Sequence, residues 1–118
     1  MSILLITHDL GIISQVAQRV VVIYAGRIVE EAAAKDLLKS HLHPYTQGLL
    51  RSIPPIRGAG TKPSHLTAIP GAVPNLLNLP KGCKFYPRCP KGQPVCKEEE
   101  PSLDQVAPFH RVRCFFPG

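Results

Sequence analysis

The sequence predicts a small α/β unit followed by an irregular, cysteine-rich C-terminal extension, on three observations. Short apolar and β-branched runs alternate with helical periodicity over residues 3–53. Twelve of the 13 prolines fall between Pro54 and Pro117, where no long element can form. All four cysteines, Cys83, Cys89, Cys96 and Cys114, lie beyond residue 82. With 118 residues, 44% of them hydrophobic, the chain can build one modest core and not two.

Residues 3–7, Ile-Leu-Leu-Ile-Thr, form a continuous apolar run ending at a polar tip, the pattern of a strand buried on both faces of a parallel sheet. His8 and Asp9 follow at its C-terminal end, where ligands of open α/β sheets bind, so an imidazole there can reach a phosphate. From chemistry alone, a lone His-Asp pair is more often a structural hydrogen-bonding pair or helix cap than a catalytic one. From Leu10 the spacing of Ile12, Ile13, Val16, Ala17 and Val20 predicts a helix packed back on the sheet. Val20–Tyr24 and Arg27–Glu30 flank Ala25-Gly26, which predicts a hairpin. Ala33–Ser40 has high helix propensity, and a further helix over 43–53 starts at His43-Pro44, with Tyr45, Leu49 and Leu50 on one face. Pro54-Pro55 ends it. Residues 54–81 read as an irregular arm whose Ile69, Val73, Leu76, Leu77 and Leu79 lie against something apolar, and residues 82–118 as a four-cysteine knot.

The net charge of +6 is carried by single Lys and Arg residues scattered along the chain, which argues against a nucleic-acid surface. No run approaches the roughly 20 apolar residues of a membrane span, and the N-terminal apolar stretch is too short for a secretory signal. An intracellular, soluble chain is expected. In that compartment cysteines are thiols or metal ligands more often than disulfides.

The cysteine spacing is C-x5-C-x6-C-x17-C, with His110 four residues before the last cysteine. These are not the tight C-x-x-C knuckles of zinc ribbons. Four thiolates on long irregular loops can hold a [4Fe–4S] cluster, zinc is a second filling, and reduced thiols or disulfides a third. Each would act as a staple for a proline-rich tail with too little apolar surface to hold itself. His110 is expected to orient a thiolate or satisfy backbone, and Arg88 and Arg111 to offset thiolate charge. Glu98-Glu99-Glu100 reads as a solvated turn without chemistry.

The stretch Ser2–Glu30, SILLITHDLGIISQVAQRVVVIYAGRIVE, resembles the switch-histidine region of ABC transporter ATPases over 29 consecutive positions. A second resemblance covers Leu42–Gly118. His43-Pro44-Tyr45-Thr46 is similar to the motif that opens the C-terminal extension of oligopeptide and dipeptide transporter ATPases. It is followed in order by Ile69-Pro70-Gly71, Val73-Pro74, Gly82-Cys83, Phe85, Arg88-Cys89, Cys96, Pro101, His110, Val112 and Cys114. The resemblance implies a partial P-loop ATPase (ABC-type) domain over residues 1–42 and the transporter extension over 43–118. It implies that His8 is the switch histidine, contacting the γ-phosphate and positioning the attacking water. It further implies ATP and Mg as cofactors of the intact subunit, a [4Fe–4S] cluster in the extension, and a second ATP-binding subunit and membrane permease subunits as partners. The location implied is peripheral, at the cytoplasmic face of the cell membrane. No residue reports the transported solute.

The departures from the family pattern are large. No G-x-x-x-x-G-K-[ST] phosphate loop occurs in the 118 residues, and the Gln loop, the signature motif and the acidic strand end that supplies the catalytic glutamate are missing. In the family these lie upstream, so Met1 is expected to be an internal methionine or a truncated start. The chain alone is expected neither to bind ATP tightly nor to hydrolyse it. The rival readings are an independent metal-binding (iron–sulfur or zinc) interaction module and a truncated gene remnant.

Overall fold

The computed structural model describes residues 4–7, 10–51, 69, 71 and 75–117. His8, Asp9 and most of the arm, including Val73, lie outside the described residues. The elements in chain order are α1 (Leu10–Val16), β1 (Arg19–Tyr24), β2 (Arg27–Ala33), α2 (Ala34–Lys39), α3 (Pro44–Arg51), a 3-10 turn at Tyr86–Arg88, α4 (Pro94–Glu98), β3 (Asp104–Ala107) and β4 (His110–Val112). Among the described residues no helix is long and apolar enough to cross a membrane.

The four strands form one sheet in the order β1-β2-β4-β3, with every neighbouring pair antiparallel. Strand β1 alternates strictly, burying Val20, Val22 and Tyr24 and exposing Arg19, Val21 and Ile23. The β1–β2 turn has positive φ at both central residues, Ala25 (50°) and Gly26 (77°), as a two-residue hairpin loop requires. Arg19 and Glu31 pair across the two strands.

The parallel strand expected at residues 3–7 is not formed. Residues 4–7 carry no regular element, and Leu4 and Ile6 are 87% and 88% exposed. A run that is apolar on both faces becomes a strand only between neighbours that cover both, and this sheet offers none. The tail, expected to be irregular throughout, contributes α4 and the β3–β4 hairpin. Four- and three-residue strands are too short to display a two-residue period in sequence.

The core unites both halves of the chain: Val20, Val22, Tyr24, Val29, Ala32, Ala34 and Leu37 pack with Phe85. Phe85 meets Tyr24 edge-on at 5.1 Å between centroids, Tyr45 at 5.4 Å and the His43 ring at 5.7 Å. Such offset contacts exploit the ring quadrupoles as well as burial. Glu100, expected to be solvated, instead reaches Arg27 at 2.9 Å and Lys84 at 3.8 Å, partly exposed pairs worth under about 1 kcal/mol each.

Candidate cysteine centre and the buried glutamate beside it

Phe85 delivers the cysteine loops to the sheet, and all four cysteines line one pocket with His43, Pro44 and other residues. All four are free thiols; Cys96 is buried and the others half-buried. Tight backbone turns place them. The Cys83 N–H donates to the Cys96 carbonyl at 2.7 Å, Tyr86 and Cys89 N–H close the 3-10 turn, and Cys96 N–H returns to Gln93 at 2.9 Å.

Gly82 makes the first of these contacts possible. A Cβ there would stand 2.2 Å from the Cys96 carbonyl oxygen and 2.7 Å from the Lys97 backbone, so the backbone itself would have to shift. Gly82→Ala is therefore expected to cost about 1–3 kcal/mol by urea unfolding and to raise the reactivity of the cysteines toward a thiol reagent. A stability within 0.5 kcal/mol of the parent would contradict this packing.

Burial pushes the Cys83, Cys89 and Cys114 thiols up, Cys114 to about 11, and the neighbouring sulfurs push in the same direction. Backbone N–H groups oppose it: Phe85 and Tyr86 at Cys83, Lys91 at Cys89, and Phe116 at Cys114. Donors aimed at three of the four sulfurs favour thiolate once a cation is present to compensate. The pocket that the four cysteines help to line holds a cavity of about 10 Å³, room for roughly one water. Among the described residues no three His, Cys, Asp or Glu side chains are grouped as around a metal ion. As neutral thiols the four pack like small apolar side chains, and nothing draws the sulfurs together.

Beside this pocket lies a residue whose role the sequence reading missed. Glu30 is fully buried in β2 and accepts hydrogen bonds from the Leu42 and His43 N–H groups, each at 2.9 Å. His110 Nε2, 80 residues away on β4, meets it at 2.5 Å. One carboxylate thus joins β2, the entry to α3 and the tail. The sequence carried only part of the signal: Glu30 and Ala32, two residues apart, share the buried face, whereas the bulge at Val29 pairs Ile28 with exposed Ile23, and an inward carboxylate demands partners. His110 therefore serves Glu30 and not a thiolate. Arg88, also expected near the sulfurs, donates to the Ile69 carbonyl at 3.2 Å and lies near the Tyr24 ring.

His43 is buried, its Nδ1 accepts the Tyr45 N–H at 3.0 Å, and its ring also bonds to the Arg113 backbone. Desolvation lowers its pKa from 6.5 to about 4, against the pull of Glu30 and the Arg113 bond. The depressed value means that the neutral ring contributes full stability above pH 6.5, lost as pH falls toward 4. The shift corresponds to roughly 3 kcal/mol. In the metal-free chain, His43→Gln keeps a donor and an acceptor without titrating. Urea midpoints between pH 7 and 4 are expected to fall less steeply in that variant, and parallel profiles would contradict the assignment.

The profile described as the C-terminal region of oligopeptide/dipeptide transporters matches residues 29–96. The oligopeptide transport ATP-binding protein AppD of Bacillus subtilis is 54% identical over 114 residues, covering 97% of this chain and 34% of that protein. The dipeptide transport ATP-binding protein DppD of Haemophilus influenzae is 43% identical over 99% of this chain and 34% of its own length. The oligopeptide transport ATP-binding protein OppD of Salmonella typhimurium is 41% identical over 98% of this chain and 33% of its own length. The chain thus spans about a third of the curated relatives it matches.

Proposed function

The chain belongs to the oligopeptide/dipeptide transporter C-terminal region family, and we propose that it works as that region of an ATP-binding subunit energising peptide uptake. The observation that carries this reading is the likeness of nearly the whole chain to peptide-transport ATP-binding proteins, extending from the switch-histidine stretch into the cysteine extension. ATP and Mg bind to parts of the intact subunit outside these 118 residues, since the phosphate loop is not among them. Residues 1–42 supply the end of the ATPase domain. His8 offers its imidazole to the terminal phosphate and orients the attacking water, work of positioning and electrostatics. Partner ATP-binding and membrane subunits place the assembly at the cytoplasmic face of the membrane, with oligopeptides or dipeptides as the solute class.

The same proposal gives the extension, residues 43–118, a thiolate-bound [4Fe–4S] cluster as its staple. The thiol-only donor set and the amides aimed at Cys83, Cys89 and Cys114 suit iron–sulfur ligation. Bound there, the group would tie the four cysteine-bearing segments to one another, a structural role. Zinc is the second filling, and it lacks the tight knuckles usual for that ion.

ATP hydrolysis by the whole subunit carrying this sequence tests the His8 role. His8→Ala is expected to reduce turnover by about 100-fold or more, within the range for a positioned acid–base group. Turnover within a factor of two of the parent would sink that assignment.

A further inference from the structure

Two of the four cysteines are held side by side through their backbones. The Cys83 N–H donates to the Cys96 carbonyl at 2.7 Å, and among the described residues this is the one backbone hydrogen bond that joins two cysteines. Standard covalent geometry around that bond keeps the two Cα atoms within about 6.6 Å, inside the roughly 4.4–6.8 Å that a disulfide spans. The approach is built into the neighbours. Gly82 leaves the space that a Cβ would take from the Cys96 carbonyl oxygen and the Lys97 backbone. Lys84, next to Cys83, reaches Glu100, four residues beyond Cys96, at 3.8 Å. Both cysteines line the same pocket, so their side chains leave the paired backbones toward one space.

The described residues group no three donors as around a metal ion, but a disulfide needs only two sulfurs. The pair also differs as an attacking and a resolving thiol do. Cys83 is half-buried and open to a small reagent, while Cys96 is buried behind it. Burial pushes the Cys83 thiol up, the Phe85 and Tyr86 N–H groups pull it down, and the Cys89 and Cys96 sulfurs push with burial. Its thiolate is therefore scarce at neutral pH, with two donors in place to receive it.

We infer that Cys83 and Cys96 are a redox-responsive pair that closes to a disulfide by exchange with low-molecular-weight disulfides of the glutathione class. The Cys83 thiolate, its proton given to solvent, attacks one sulfur of the small disulfide. A mixed disulfide forms on Cys83, and one small thiolate leaves and takes a proton. The Cys96 thiolate, its proton likewise given up, then attacks the Cys83 sulfur, closing the Cys83–Cys96 bond and releasing the second small thiolate. Two protein thiols are oxidised, and one small disulfide is reduced to two thiols. The bond closes the loop that carries the 3-10 turn and Cys89, which restricts the unfolded chain. It also removes two of the pocket's four thiols, so the oxidised chain cannot offer four thiolates to any ion. The inference does not rest on the iron–sulfur reading, because it concerns the metal-free chain and needs only this pair.

The test equilibrates metal-free 118-residue chain with mixtures of reduced and oxidised glutathione, blocks the remaining thiols with iodoacetamide and maps the peptides by mass. One disulfide, Cys83–Cys96, is expected, with Cys89 and Cys114 alkylated. Because the fold and the bond stabilise each other, the folded chain should close the pair at a proportion of oxidised glutathione about 100-fold lower than the chain in concentrated urea. Cys96→Ser should stop at the mixed disulfide of Cys83 with glutathione, while Cys114→Ser should still close the pair. Three results overturn the inference: pairing with Cys89 or Cys114 in equal or greater amount, no intrachain disulfide in any mixture, or the same requirement in the folded and urea-unfolded chain.

Discussion

Glu30→Ala is expected to remove about 3–5 kcal/mol of stability, enough to leave a chain of this size largely unfolded under mild denaturant. The carboxylate is fully buried and serves three donors, the Leu42 and His43 N–H groups and His110 Nε2. Alanine offers none of them a partner. Each buried donor left without an acceptor costs about 1–3 kcal/mol, because water cannot reach it. Removing His110 as well should return part of the loss, since two buried partners deleted together leave fewer orphans than one deleted alone. The double variant Glu30→Ala/His110→Leu is therefore expected to be less destabilised than the sum of the two single changes. Urea unfolding of the four proteins gives the coupling directly. A single Glu30→Ala cost under 0.5 kcal/mol would mean that this carboxylate does not join β2 to the tail.

Cys89→Ser should have the second large effect, read on the loaded chain. Cys89 stands at the end of the 3-10 turn, with the Lys91 N–H aimed at its sulfur and its thiol raised by burial. Serine keeps the shape but offers an oxygen that remains protonated, a poor ligand for iron. A group held at 100–1,000 times its dissociation constant stabilises a fold by about 3–4 kcal/mol, and that increment should vanish in the variant. The metal-free parent and variant should differ little. Because burial keeps the thiols protonated when the pocket is empty, loading must expel protons, and uptake should strengthen as pH rises. Equal iron uptake by parent and variant would remove Cys89 from the ligand set.

The hairpin β1–β2 was legible because Val20, Val22 and Tyr24 alternate with exposed residues and Ala25-Gly26 fits the turn. Helices α2 and α3 were legible from propensity and from Pro44 at a first turn. What could not be read is the joining of the halves. Glu30 and His110 are 80 residues apart, and β4 is three residues long, so no local period announces their pairing. Cys83, Cys89, Cys96 and Cys114 line one pocket, and the part played by Phe85 in seating their segments was not legible, because a lone aromatic carries no sign of its partners. Residues 3–7 misled for the opposite reason. Their apolar run states a need for neighbours, and the described sheet does not supply them.

The proposed iron–sulfur group on the four cysteines stands or falls on what the purified chain carries. Iron and acid-labile sulfide determination, with a visible spectrum, on chain purified without oxygen is its most direct test. About four irons and four sulfides per chain, lost in Cys89→Ser, is the expected result. Chain free of iron and sulfide under those conditions, with four titratable thiols, would contradict it.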